Sequence, residues 1–151
     1  MKKLIFALLL TAAALLQPAP RLFQTAASAQ TVVTAAQVNG TWETKHGEFK
    51  VWALGNQKLR VEFSGTYEYQ SPAGPMANTG EGRGVARIEG DTAVFKPEGA
   101  EDECKIIMRF TRGKLVVTQE GVCGFGNKVT AEGTYRRTST RKPKFGESGE
   151  R

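Results

Sequence analysis

From Leu59 to Gln70, apolar and polar residues alternate without a break. Leu59, Val61, Phe63, Gly65, Tyr67 and Tyr69 form one set, and Arg60, Glu62, Ser64, Thr66, Glu68 and Gln70 form the other. A strand sends successive side chains to opposite faces, so this stretch makes one apolar and one polar surface. A helix would scatter both sets around its axis, so a strand is predicted. That strand must lay its apolar face against something, and the rest of the chain supplies more strands.

Gly40 to Lys45 and Glu48 to Leu54 flank His46-Gly47. A two-residue turn there sets Trp42 opposite Val51 and Thr44 opposite Phe49. Trp52 and Leu54 then point outward, to cover the start of the mature chain or to form a patch for a partner. Gly84 to Glu89 and Thr92 to Lys96 flank Gly90-Asp91, which pairs Ala86 with Phe95 and Ile88 with Ala93. Across Arg112-Gly113, Ile106, Met108 and Phe110 face Gln119, Val117 and Leu115. Cys123 to Asn127 turns the chain, and Lys128 to Arg137 alternates again as the last strand. The segment from Ser71 to Gly80 holds Pro72, Pro75, Gly74 and Gly80 and reads as a loop, because proline cannot serve a central strand. Pro97 to Glu103 reads as an acidic loop.

Eight such strands joined by short turns can close on themselves and remove every edge. The expected fold is all-β, an eight-stranded antiparallel up-and-down barrel with strand eight beside strand one. A two-sheet sandwich is the alternative.

The ends of the chain differ from its middle. Lys2 and Lys3 precede an apolar run from Leu4 to Leu16, and Ala27-Ser28-Ala29 offers a small-residue cleavage pattern. This reads as a signal peptide over residues 1–29 with a mature start at Gln30, or else as a buried N-terminal helix. The barrel is expected over residues 30–137, and residues 138–151 as a disordered basic tail. The formal charge is +6. The leader holds three bases, and the stretch from Arg136 onward holds six bases and two acids. That leaves 12 bases against 13 acids between Gln30 and Tyr135. The basic character therefore belongs to the ends, and the body does not read as a nucleic-acid binder. The apolar run is too short to span a membrane.

Export implies an oxidising compartment, which predicts a disulfide between Cys104 and Cys123. The Arg112-Gly113 register supports it, since Cys104 falls opposite Gly121, two residues from Cys123. Free thiols in catalysis or metal binding are the alternative. One His and two Cys leave no acid, base and nucleophile set, so a non-enzymatic protein without metal or cofactor is expected. His46 reads as an exposed turn residue. Glu98, Glu101, Asp102 and Glu103 lack the spacing of a calcium loop. Gly80-Glu-Gly-Arg-Gly84 precedes a strand rather than a helix, so it reads as a small-residue site on the wall and not a phosphate loop.

Gly40-Thr41-Trp42 resembles the Gly-x-Trp opening of lipocalin-like barrels. That resemblance implies a basic residue from the last strand, Arg136 or Arg137, over the Trp. Cys104-Lys-Ile, Phe110, Leu115-Val-Val-Thr-Gln119, Cys123-Gly-Phe-Gly126, Val129 and Gly133-Thr-Tyr-Arg136 are similar to small exported bacterial β-barrel proteins, some associated with periplasmic lysozyme inhibition. The likeness implies export and a disulfide-tied barrel end, and it carries no catalytic residues.

The leading functional expectation is an exported barrel, periplasmic or extracellular, that binds a small apolar or aromatic ligand in its interior. Tyr67, Tyr69, Phe95 and Phe110 would touch that ligand. Gln119 turns inward, to hydrogen-bond a ligand or to bond the adjacent Cys123 loop. The rival is a protein-binding module or hydrolase inhibitor working through two loops, one from Ser71 to Gly82 and one from Cys123 to Asn127.

Overall fold

The computed structural model describes residues 32–146. The expected leader lies outside them, as do residues 147–151. A short helix, α1 (Ala35–Val38), precedes eight strands: β1 (Gly40–Glu43), β2 (Gly47–Gly55), β3 (Lys58–Ser71), β4 (Gly74–Glu89), β5 (Thr92–Phe95), β6 (Lys105–Thr111), β7 (Lys114–Glu120) and β8 (Gly133–Ser139). They form a closed antiparallel barrel in sequence order, with β8 paired to β1. The barrel is the expected one, and the sandwich is set aside.

The inward face of each strand fills the interior. Trp42, Phe49, Phe63, Phe95, Phe110 and Tyr135 are each at most 2% exposed. Burying a large apolar side chain contributes roughly 1.5–3 kcal/mol, so these rings dominate the core energetics. They form two linked groups. Trp42 meets Phe110 edge-on at 5.6 Å, while Phe49 lies 4.9 Å from both Phe63 and Tyr135. Phe63 continues the second group to Phe125 at 4.7 Å.

The end carrying α1 is closed by backbone and cation together. Trp42 Nε1 donates to the Val38 carbonyl at 3.0 Å. Arg137 lies 5.3 Å from the Trp42 ring and donates to the carbonyls of Ala36, Gln37 and Asn39 at 2.7, 3.2 and 3.4 Å. Of the two arginines expected over the Trp, Arg137 takes the place and Arg136 faces outward.

Two hairpins have the register predicted for them: Ile88 pairs with Ala93, and Ile106, Met108 and Phe110 pair with Gln119, Val117 and Leu115. The first hairpin is a correction. Trp42 pairs with Phe49, not Val51, and pairing stops at Glu43–Glu48. Thr44 closes the turn locally, its N–H donating to Gly47 O at 2.8 Å and its Oγ1 accepting from His46 N at 3.2 Å. A slip of two residues leaves the same side chains facing inward, so the core pattern survives it.

The segment after Ser71 is a second correction. It is not a loop: β4 starts at Gly74 and pairs with β3 residue for residue, around a turn at Pro72-Ala73. Thr66 N donates toward the β2 side, to His46 O at 2.8 Å. By alternation, Gln70 also turns its backbone away from β4, and its partner Pro75 turns away from β3. No ladder bond needs the missing Pro75 N–H, and a proline is tolerated on such an edge.

The last strand is shorter than expected, starting at Gly133 rather than Lys128. Lys128 has a left-handed backbone, φ 61°. Gln119 Oε1 accepts from Ala131 N at 2.9 Å, taking a bond that a strand would have used. The tail differs too. Ser139 still pairs with Thr41, and the chain then lies along the outside of β2 and β3. Lys142 sits 5.7 Å from the Trp52 ring, Arg60 4.4 Å from the Phe145 ring, and Gly146 N donates to Glu62 Oε2 at 3.1 Å. Trp52 is thus covered by the C-terminal segment, which its outward position in the sequence did not disclose.

Candidate functional site

β3 and β4 are the two longest strands, and they outrun their neighbours. β2 pairs with β3 only as far as Gly65, while β5 pairs with β4 only from Arg87 to Glu89. The stretch 66–79 therefore leaves the barrel as a two-stranded arm. Among the described residues, no strand pairs with either edge of it. The alternation that buries Leu59, Val61 and Phe63 carries on into the arm, so Tyr67 and Tyr69 fall on the face continuous with the core.

Those two rings lie 6.2 Å apart with planes 21° from parallel. Met76 stands opposite Tyr69 and Asn78 opposite Tyr67. The Tyr69 hydroxyl reaches Met76 Sδ at 3.8 Å, and Met76 is 50% exposed. The arm's polar face bears Glu68 and Gln70, both exposed.

The second segment singled out from the sequence, 123–127, meets the base of this arm. Asn78 Nδ2 donates to Asn127 O at 2.8 Å, and Lys128 Nζ lies 5.2 Å from the Tyr67 ring. Cys123 is bonded to Cys104, with their Cα atoms 4.8 Å apart. Phe125 turns inward and is 4% exposed. It rests on Gly80 and Gly82, where a Cβ would collide with its backbone and ring respectively. The glycines that superficially suggest a phosphate loop are thus the seat of a plug. Phe125 is the residue that sequence reasoning missed, and its signal was a lone large apolar side chain between two glycines beside a cysteine.

The chain matches no protein-family model, no curated protein and no solved structure. The site therefore rests on geometry alone.

The five residues assigned from the sequence to one ligand pocket are placed in three surroundings. Phe95 and Phe110 are buried in the packed interior, Phe110 against Trp42. Tyr67 and Tyr69 stand on the arm. Gln119 is engaged with backbone: besides Ala131 N, its Oε1 accepts from Thr130 Oγ1 at 3.3 Å and its Nε2 donates to Gly121 O at 3.4 Å. Tyr135, the third tyrosine, donates to Ala131 O at 2.8 Å, and burial pushes its phenol pKa well above the ordinary value. Gln119 and Tyr135 together hold the segment 130–131 that lies over the interior.

Recesses on the outside of the barrel open to solvent. One of about 380 Å³ lies outside β2, β3 and β4, where Glu48, Lys50, Glu62, Glu81 and Arg83 surround Gly146. Glu62 stands in register between Lys50 and Arg83. His46 is exposed in its turn. In the acidic loop, Asp102 pairs with Lys96 at 2.6 Å, which holds its carboxyl below the usual range. Among the described residues, no three His, Cys, Asp or Glu side chains are grouped to hold a metal.

Proposed function

We propose that this protein is an exported, non-enzymatic binding module whose working surface is the tyrosine-bearing arm, with 123–128 at its base, and whose partner is a protein. The observation that carries this reading is the arm itself, a ribbon with two open edges and an accessible aromatic face. An isolated two-stranded ribbon is marginal in water, and open edges are usually shortened or covered. An arm of this length is better explained by something it holds.

The same end of the barrel carries exposed Glu68, Glu81, Glu98, Glu101, Glu103 and Glu132. Exposed Lys45, Arg83, Lys96, Lys105 and Lys128 lie near them, with Lys96 paired to Asp102 and Lys105 to Glu120, so this end stays net acidic. This balance suits a basic protein and speeds its approach. An envelope-directed hydrolase such as lysozyme is the candidate suggested by the sequence resemblance. The reading of the barrel as a carrier has less support, because Phe95 and Phe110 are packed into the interior that a ligand would need, while the other residues assigned to its pocket stand elsewhere.

The test is a titration of the purified protein into a lysozyme assay, with Tyr67→Ala plus Tyr69→Ala alongside. Inhibition by the native protein, weakened at least tenfold in a variant with unchanged circular dichroism, is the expected result. Equal potency of both would move the site away from the arm.

A further inference from the structure

The end of the barrel opposite the arm has a different chemistry. Its rim is made by the turns 55–57, 90–91 and 112–113, together with residues 32–39. Val33 N donates to Gly90 O at 3.2 Å, so the chain enters the fold at this rim. Lys58, Arg112, Lys114 and Arg136 are exposed on or beside it. Lys114 and Arg136 stand directly opposite each other, an arrangement that costs stability in the free protein. Glu43 flanks Arg136 on its other side, at the β1 pairing. Among the described residues, no carboxylate lies within ion-pair distance of Lys58, Arg112 or Lys114. The rim's own acids are engaged, Glu89 with Arg87 at 3.2 Å and Asp91 with Arg109 at 3.9 Å. Arg141 and Lys142 add two more exposed cations where the tail leaves β8.

Apolar groups share this rim. Val32 is 77% and Leu54 53% exposed. Beside Val32 a notch of about 220 Å³ is lined by Val33, Val38, Ala53, Leu59 and Ile88.

We propose that this rim docks on an anionic lipid surface. The cations meet the headgroups, and Val32 and Leu54 enter the interface between headgroup and acyl chain. Unpaired cations beside exposed aliphatic residues are the pattern that binds such a surface, through charge and apolar burial together. Docked this way, the barrel holds its arm away from the lipid. The inference does not depend on what the arm binds.

The test is co-sedimentation of the purified protein with vesicles of phosphatidylcholine alone and of phosphatidylcholine with phosphatidylglycerol, at low and high salt. Partition is expected to favour the anionic vesicles at least tenfold at low salt and to fall as salt rises. Arg112→Glu with Lys114→Glu should remove at least about tenfold of that partition, since each cation near such a surface contributes roughly fivefold. Both positions are exposed, and the Lys114 change turns a like-charge pair into an opposite one, so folding is preserved. Lys45→Glu, a charge reversal at the arm end, should leave partition unchanged. Equal partition to both vesicle types overturns the proposal, as does an unaltered Arg112/Lys114 variant. Retention on heparin without vesicle binding overturns it in favour of a soluble polyanion.

Discussion

Arg137 shows how one side chain ties the ends of the described chain together. Its guanidinium gathers three carbonyls from the segment around α1 and covers Trp42, a ring that is 0% exposed. Hydrogen bonds from a charged donor contribute more than neutral ones, and the cation over the ring adds to them. Arg137→Ala should cost about 1–3 kcal/mol in denaturant unfolding and open residues 32–39 to protease first. An unchanged unfolding midpoint would show that the helix is held by Val38 packing alone. Tyr135 makes a pH-dependent contribution. Its phenol pKa is raised in the folded state, so that stability is complete below the ordinary value of 10 and is lost as pH rises beyond it. Thermal melts should fall in that alkaline range, and Tyr135→Phe should flatten the fall. The same substitution removes the bond to Ala131 O, at a cost of about 1 kcal/mol at neutral pH.

Elements differ in how much they contribute to the fold. The arm beyond Thr66 lies past the last β2 pairing; Tyr67 packs on the core at its base, Asn127 and Lys128 meet it there, and the tip beyond Tyr69 is mostly exposed. Excising residues 70–75 and rejoining the ribbon with a short turn should change stability by less than about 1 kcal/mol, read by chemical denaturation. A larger loss would mean that the arm supports the barrel rather than serving a partner. The segment from Cys123 to Glu132 is the opposite case, with little regular structure and a large role. Replacing both cysteines by alanine should cost about 3 kcal/mol, from the loop that the bridge closes. Hydrogen exchange should rise first around Phe125, because the disulfide fixes the start of the segment that seats this ring. Element boundaries were legible where turn chemistry is local, as at Gly90-Asp91 and Arg112-Gly113. They were misread at Pro75 and Lys128. There, strand or loop depends on what lies beyond an edge, and no local pattern reports that.

At the scale of the whole molecule, buried aromatic rings occupy both ends of the barrel interior, and its two rims are chemically distinct. Trp42 with Phe110 fills the end beside α1, and Phe63 with Phe125 fills the end beneath the arm. Native mass spectrometry of protein purified from its host without denaturant should therefore give the bare chain mass. A small bound mass that disappears on denaturation would restore the carrier reading and identify its ligand class. The outward faces carry an excess of acid at the arm end and of base at the other, a bias hidden by the near balance of charge between Gln30 and Tyr135.

Alternation over Leu59 to Gln70, two hairpin registers and the pairing of Cys104 with Cys123 were all readable from the chain, because each follows from side-chain period and short-range turn geometry. The closed barrel followed from counting strands that share one apolar face. Whether that interior would be hollow was not readable, because it depends on which distant residue closes each end. Phe125 does so from a position whose local sequence names no partner, and at the other end only the assembled strands decide that Arg137, not Arg136, covers Trp42. Nor could the chain disclose that β3 and β4 outrun their neighbours, or that residues 140–146 return along the outer wall. Those outcomes depend on the relative lengths of strands far apart in sequence, and only their assembly compares them.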